Sequence, residues 1–103
     1  MDRISQIIEM LKSNPADSFL QHALALEYIK KGDDMAARSI FEEVLTRDAG
    51  YIGSYYHLAG LLERNGETDL AIQWYKRGME AAKAAGEQKT YNELRAAYEA
   101  LID

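Results

Sequence analysis

His22 and His57 are the residues of this 103-residue chain best suited to metal or acid–base chemistry, and they are its only histidines. A zinc-type site needs about four converging nitrogen or sulfur ligands. The chain has no cysteine and no His-x3-His spacing, so both histidines are expected to pack or to face solvent. The acidic pairs Asp33-Asp34 and Glu42-Glu43 resemble paired carboxylates, but the first stands where a helix begins and the second on an exposed face. Capping and solubility account for them. Ser39 has no histidine or lysine at a spacing that predicts activation of a nucleophile. Gly50, Gly53, Gly60 and Gly66 lack the Gly-Lys-Ser/Thr ending of a phosphate loop and are assigned to turns and helix contacts. Tyr51, Tyr55 and Tyr56 have rings that can stack on bases, yet they fall in core register within an acidic chain, which favours packing. No catalytic residue, cofactor or metal site is predicted.

Composition narrows the classes further. At 103 residues, folding can bury roughly two thirds of the unfolded surface in one core, so one domain is expected over 1–103. Abundant alanine and a single proline, Pro15, favour close-packed helices. Twelve Lys and Arg against seventeen Asp and Glu leave a net charge of −5, which works against binding phosphate backbones or anionic lipid. Absence of cysteine suits a reducing cytosol. The apolar runs are too short to span a bilayer and the N-terminus has no signal-like pattern, so a soluble, cytoplasmic protein is expected.

The positioning elements follow from periodicity. Ile4, Ile7, Ile8 and Leu11 recur at helical spacing until Asn14-Pro15 ends the pattern. Asp17 is placed to cap a second helix carrying Leu20, Leu24 and Tyr28, with Ile29 as an open fourth member, which stops at Lys30-Lys31-Gly32. Asp33 or Asp34 starts a third, whose stripe is Ala37, Ile40, Phe41, Val44 and Leu45 before Asp48-Ala49-Gly50. A fourth carries Tyr55, Leu58, Ala59 and Leu62 and ends at Asn65-Gly66. Thr68 or Asp69 caps a fifth with Leu70, Ala71, Trp74, Tyr75 and Met79, terminated by Gly86. The sixth begins between Glu87 and Thr90, where Thr90-x-x-Glu93 reads as a capping box ahead of Leu94, Tyr98 and Leu101. No strand alternation or linker interrupts this series.

The helices repeat. Gly32 and Gly66 lie 34 residues apart, and the same offset pairs Leu24 with Leu58, Ala25 with Ala59, Ala37 with Ala71, and Phe41 with Tyr75. A fixed period of this size marks stacked copies of one supersecondary unit. Tyr55-x2-Leu58-Ala59-x2-Leu62 followed by Ala71-x3-Tyr75, and Gln21-x2-Leu24-Ala25-x2-Tyr28 followed by Ala37-x3-Phe41, resemble the tetratricopeptide repeat. One period earlier, Ile7, Leu11 and Pro15 stand at the positions of Phe41, Leu45 and Ala49, so the opening helix resembles the second half of a repeat. Tyr91-x2-Leu94-x3-Tyr98 resembles the start of a third after two inserted residues, with Arg95 where a small residue is usual, as in a closing helix with a polar outer face. The resemblance implies an all-α, right-handed α/α superhelix, the tetratricopeptide solenoid, of about six antiparallel helices. Its parts are a half-repeat at 1–15, repeats at 18–51 and 52–85, and a capping helix at 86–103. Ala25 and Ala59 opposite Ala37 and Ala71 let each pair approach to roughly 8 Å. Phe41, Tyr75, Tyr28 and Tyr55 then fill the gaps between pairs, each contributing on the order of 2 kcal/mol.

In that family the first helix of each repeat lines a concave face. The ligand positions correspond to Phe19, His22, Leu26, Ile29 and Lys30, and to Gly53, Tyr56, Gly60, Glu63 and Arg64. The resemblance implies a non-enzymatic module that binds a protein or peptide partner there, with Phe19, His22, Leu26, Lys30, Tyr56, Gly60 and Arg64 as the contact residues. No nucleic-acid or membrane partner is implied. His22 and Leu26 stand where the subclass gripping chaperone C-termini expects lysine and asparagine, and Glu93 where it expects a basic residue, which disfavours that ligand. The alternative is weak self-association through the terminal helices, where Ile4 and Ile8 offer apolar surface.

Overall fold

Short, strongly terminated helical segments let neighbouring helices pack against one another within each part of the chain. The computed structural model describes residues 2–102, and among these there are six helices and no strand. They are α1 (Arg3–Ser13), α2 (Ser18–Lys31), α3 (Asp34–Arg47), α4 (Gly53–Arg64), α5 (Thr68–Ala84) and α6 (Gln88–Ile102). The chain divides into two compact units, one up to Asp48 and one from Ala49 onward.

In the first unit, α2 packs against both α1 and α3. Asp2, Asp17 and Asp33 each cap the helix that follows, their carboxylates accepting from the amides of Ser5, Leu20 and Ala36 at 2.7, 3.0 and 3.1 Å. The core is Ile7 from α1, Leu24 and Ala25 from α2, and Ala37, Phe41, Val44 and Leu45 from α3. Gln21 is buried where the repeat pattern favours an aromatic, and its amide is bonded at both its nitrogen and its oxygen. Nε2 donates to the Pro15 carbonyl at 3.0 Å, and Oε1 accepts from the Arg47 guanidinium. Ser18 Oγ, donating to Asp48 Oδ2 at 3.2 Å, ties the start of α2 to the end of α3.

In the second unit α5 packs against α4 on one side and α6 on the other. Tyr55, Leu58, Ala59, Leu61 and Leu62 of α4, Ala71, Tyr75 and Ala82 of α5 and Leu94 of α6 are buried. The Tyr55 hydroxyl donates to the Ala49 carbonyl at 2.6 Å. That bond ties the α4 start to the turn before it.

Three turns are built alike. Gly32, Gly66 and Gly86 have φ of +87°, +80° and +72°, a region open to glycine at no steric cost. In each, the next residue's amide reaches back to a helix carbonyl: Asp33 to Tyr28, Glu67 to Leu62 and Glu87 to Ala82, at 2.8 to 2.9 Å. The glycine amides bond Ile29, Glu63 and Lys83, completing the Schellman closure.

Two start signals differ from expectation. The α5 N-cap is Glu67 and makes no side-chain capping bond, so neither Thr68 nor Asp69 is the cap. Thr68 is already helical, and Asp69 in the first turn acts through the helix dipole instead. The Thr90-x-x-Glu93 capping box does not form, because α6 has begun by Gln88 and Thr90 lies inside its first turn. In both places the preceding glycine turn delivers the chain to the helix earlier than the side chains announce.

Candidate interaction surface

On α2 the expected contact residues form a graded strip. Phe19 is 68% exposed at the first turn, and Lys30 is exposed at the last, its ammonium 3.1 Å from Glu27 Oε2. His22, Leu26 and Ile29 between them are half-buried. His22 turns its ring edge to the buried Phe41, centroids 5.6 Å apart, so of the two placements expected for it, packing is the one it takes. Its neighbour in space is a hydrocarbon ring.

On α4, Gly53, Glu63 and Arg64 are exposed, Gly60 is half-buried, and Tyr56 is 46% exposed. Tyr56 too is partly structural: it meets the buried Tyr75 edge-on at 6.2 Å and the His57 ring at 6.0 Å. The Tyr75 hydroxyl donates to Glu63 Oε1 at 3.2 Å. Burial, then the nearby Glu63 carboxylate, pushes the Tyr75 phenol well above its ordinary value, so it stays a donor. Burial foremost, then the Arg64 charge, holds His57 below the usual histidine range and keeps it neutral. The second repeat thus presents an aromatic edge, a backbone gap at Gly60 and a cation in succession.

Spacing alone did not reveal a cleft of about 270 Å³ between α5 and α6, lined by Lys76, Met79, Glu80, Lys83, Tyr91 and Tyr98. The Lys76, Met79, Glu80, Lys83 series at i, i+3, i+4, i+7 was the available signal. Among the described residues no group of three or more His, Asp or Glu side chains gathers as metal ligands would. Of the acidic residues singled out in the sequence, Asp33 caps α3, while Glu42 and Glu43 serve surface pairs, with Arg38 bonding Glu42 at 3.3 Å and Arg47 lying 3.8 Å from Glu43.

The tetratricopeptide repeat profile matches residues 20–51 and 52–85. The chain belongs to the tetratricopeptide repeat family. A tetratricopeptide repeat domain protein of Salinibacter ruber, known from a solution NMR structure, is 40% identical over 86% of this chain and 90% of its own, with a TM-score of 0.82. A crystal structure of a Salinibacter ruber tetratricopeptide repeat domain protein gives 41% identity over 82% and 94%, with a TM-score of 0.79. The solution structure of a Bordetella parapertussis protein, 23% identical over 98% of this chain and 88% of its own, has a TM-score of 0.84 and shares the fold alone. No curated protein matches the sequence. Tetratricopeptide repeats generally mediate protein–protein interactions and are typically non-enzymatic. No described helix of this chain is long and apolar enough to cross a membrane.

Proposed function

We propose that the chain works as one interaction module over 1–103, holding a peptide or helical segment of a partner protein on the concave face that family members build from the first helix of each repeat. The contact residues are Phe19, His22, Leu26 and Lys30 on α2 and Tyr56, Gly60 and Arg64 on α4. The observation that carries this reading is the exposure of one aromatic ring on each of these helices, Phe19 and Tyr56. Exposed apolar groups are a common feature of contact surfaces. Lys30 and Arg64, one period apart, end both strips with positive charge. The acidic, cysteine-free composition fits a cytoplasmic setting. With two repeats the contact area is small, which suits reversible, micromolar binding.

A photo-crosslinking amino acid placed at Phe19 or Tyr56 should trap a partner, whereas the same group at the exposed Ser39 on α3 should not. Trapping from Ser39 alone would move the site to the second helices. A second reading rests on α1, where Ile8 and Met10 are exposed, and on Ile102 of α6, exposed as well: self-association through the terminal helices. Sedimentation velocity across a hundredfold range of concentration separates the two, since a constant monomer removes the second.

A further inference from the structure

The two repeats close the same corner in different ways. In the first unit the Gln21 side chain, near the start of α2, donates to the Pro15 carbonyl, and in the second the Tyr55 hydroxyl donates to the Ala49 carbonyl. Donors and acceptors alike are 34 residues apart, so the corners are equivalent. The first is crossed by Arg47 from the end of α3, whose guanidinium donates to Gln21 Oε1 and, at 3.4 Å, to Ser18 Oγ, with Glu43 3.8 Å away. One period later Ala81 stands at the place of Arg47, and a methyl group cannot cross. An open groove of about 660 Å³ lies there, with Ala49, Gly50 and Tyr55 on one side and Glu80, Ala81 and Ala84 of α5 on the other. Ligand pockets span roughly 300–1,000 Å³, so this one has room for a long side chain and the backbone carrying it.

Small residues alone make no site, but charge and the first repeat together specify what fits this one. Glu80 stands on the groove wall, and its carboxylate makes no hydrogen bond or ion pair among the described residues. Arg77, also at the rim, lays its guanidinium over the Trp74 ring, 4.8 Å from the centroid, and is not paired with Glu80. The last turn of α5 borders the groove, and the carbonyl end of a helix favours a cation. The net charge of −5 adds attraction for a basic segment. Arginine meets a carboxylate through two parallel hydrogen bonds where lysine offers a point charge, and its stem lies readily on apolar surface.

We propose that this groove docks an arginine of a basic partner segment, its guanidinium on Glu80 and its stem along Ala81 and Ala84, taking in the second repeat the place that Arg47 takes in the first. The site shares no residue with the strip on α2 and α4 and is a second contact.

The test pans phage-displayed random dodecapeptides on the full chain after depletion on Ala81→Arg, in which the chain's own side chain takes the groove. A parallel panning depletes on Ala84→Arg, where the added side chain starts from an exposed position and leaves the core untouched. Peptides that bind the strip are removed by both. The expected survivors share an arginine. Labelled with fluorescein and titrated by anisotropy, they should bind Glu80→Gln about tenfold more weakly than wild type, and bind wild type about fivefold more weakly when lysine replaces that arginine. Binding to Tyr56→Ala should be unchanged. No survivors, survivors without an arginine, or survivors indifferent to Glu80→Gln would overturn the site. So would a wild-type dimer in sedimentation equilibrium that Glu80→Gln abolishes, since the arginine would then come from a second copy of this chain.

Discussion

Single atoms decide the packing of both units. Ala71 has no exposed surface, so Ala71→Leu should overpack α4 against α5 and cost about 1 to 3 kcal/mol in urea denaturation. Gly78→Ala should also destabilise, although alanine is the better helix former by about 1 kcal/mol. An added Cβ would stand 2.7 Å from the Tyr55 Cβ, which is fixed to its backbone and cannot yield as the tip of a lysine could. At Gly60 an added Cβ would meet no atom within 4 Å, so opposite stability changes at Gly60 and Gly78 would show that their surroundings, not their helical setting, govern them. His57 adds a pH dependence. Its folded pKa lies below the ordinary 6.5, so the unfolded chain binds more protons as pH falls past that value. The stability it contributes is complete above about pH 6.5 and is lost as pH drops through the folded value. Urea midpoints between pH 7.5 and 5 should fall for the wild type and fall less for His57→Gln; parallel slopes would assign the loss to other groups.

At the scale of elements, capping is a local matter and can be tested one helix at a time. Asp17→Ala removes the oxygen that accepts from Leu20, so α2 should lose about 1 kcal/mol, and Asp33→Ala should do the same to α3. Circular dichroism melts of the two variants measure it, and unchanged melts would mean that solvent replaces the carboxylates. Helix ends were legible in the sequence where glycine stops a helix, because Gly32, Gly66 and Gly86 supply a conformation other residues avoid. Starts were legible where Asp17 and Asp33 cap, and α6 begins at Gln88, within the expected bracket of Glu87 to Thr90; the side-chain caps expected at α5 and α6 do not form, since the turn itself determines entry. The repeat offset located the buried alanines and aromatics, since packing requires the same sizes at the same places. It did not reveal buried Leu61 or Ser54, which lie off that stripe, nor the Gly78 contact, whose partners Tyr55 and Leu94 belong to other helices. Of the candidate surface, exposed Phe19 and Tyr56 stand on the expected helices, but the packing roles of His22 and Tyr56 come from ring contacts with Phe41 and Tyr75, which spacing does not show.

For the molecule as a whole, the distribution of buried residues predicts where it opens. Ile7 is the one fully buried residue of α1 and Leu94 the one side chain so buried in α6, against Ala37, Phe41, Val44 and Leu45 in α3 and a longer set in α4. In a repeat protein each helix is stabilised mainly by its neighbours, and a terminal helix has fewer of them. Opening α1 exposes little apolar surface, which makes it a low-energy local fluctuation. Hydrogen exchange followed by mass spectrometry should therefore show α1 and α6 exchanging ahead of α3 and α4, with the amides around Phe41 and Leu58 slowest. Met10 gives the test a second arm. It is 46% exposed at the place that buried Val44 holds one period later, so Met10→Gln should leave exchange unchanged in a monomer. If the terminal helices instead associate between copies, α1 should be protected at high concentration, and that protection should vanish in Met10→Gln.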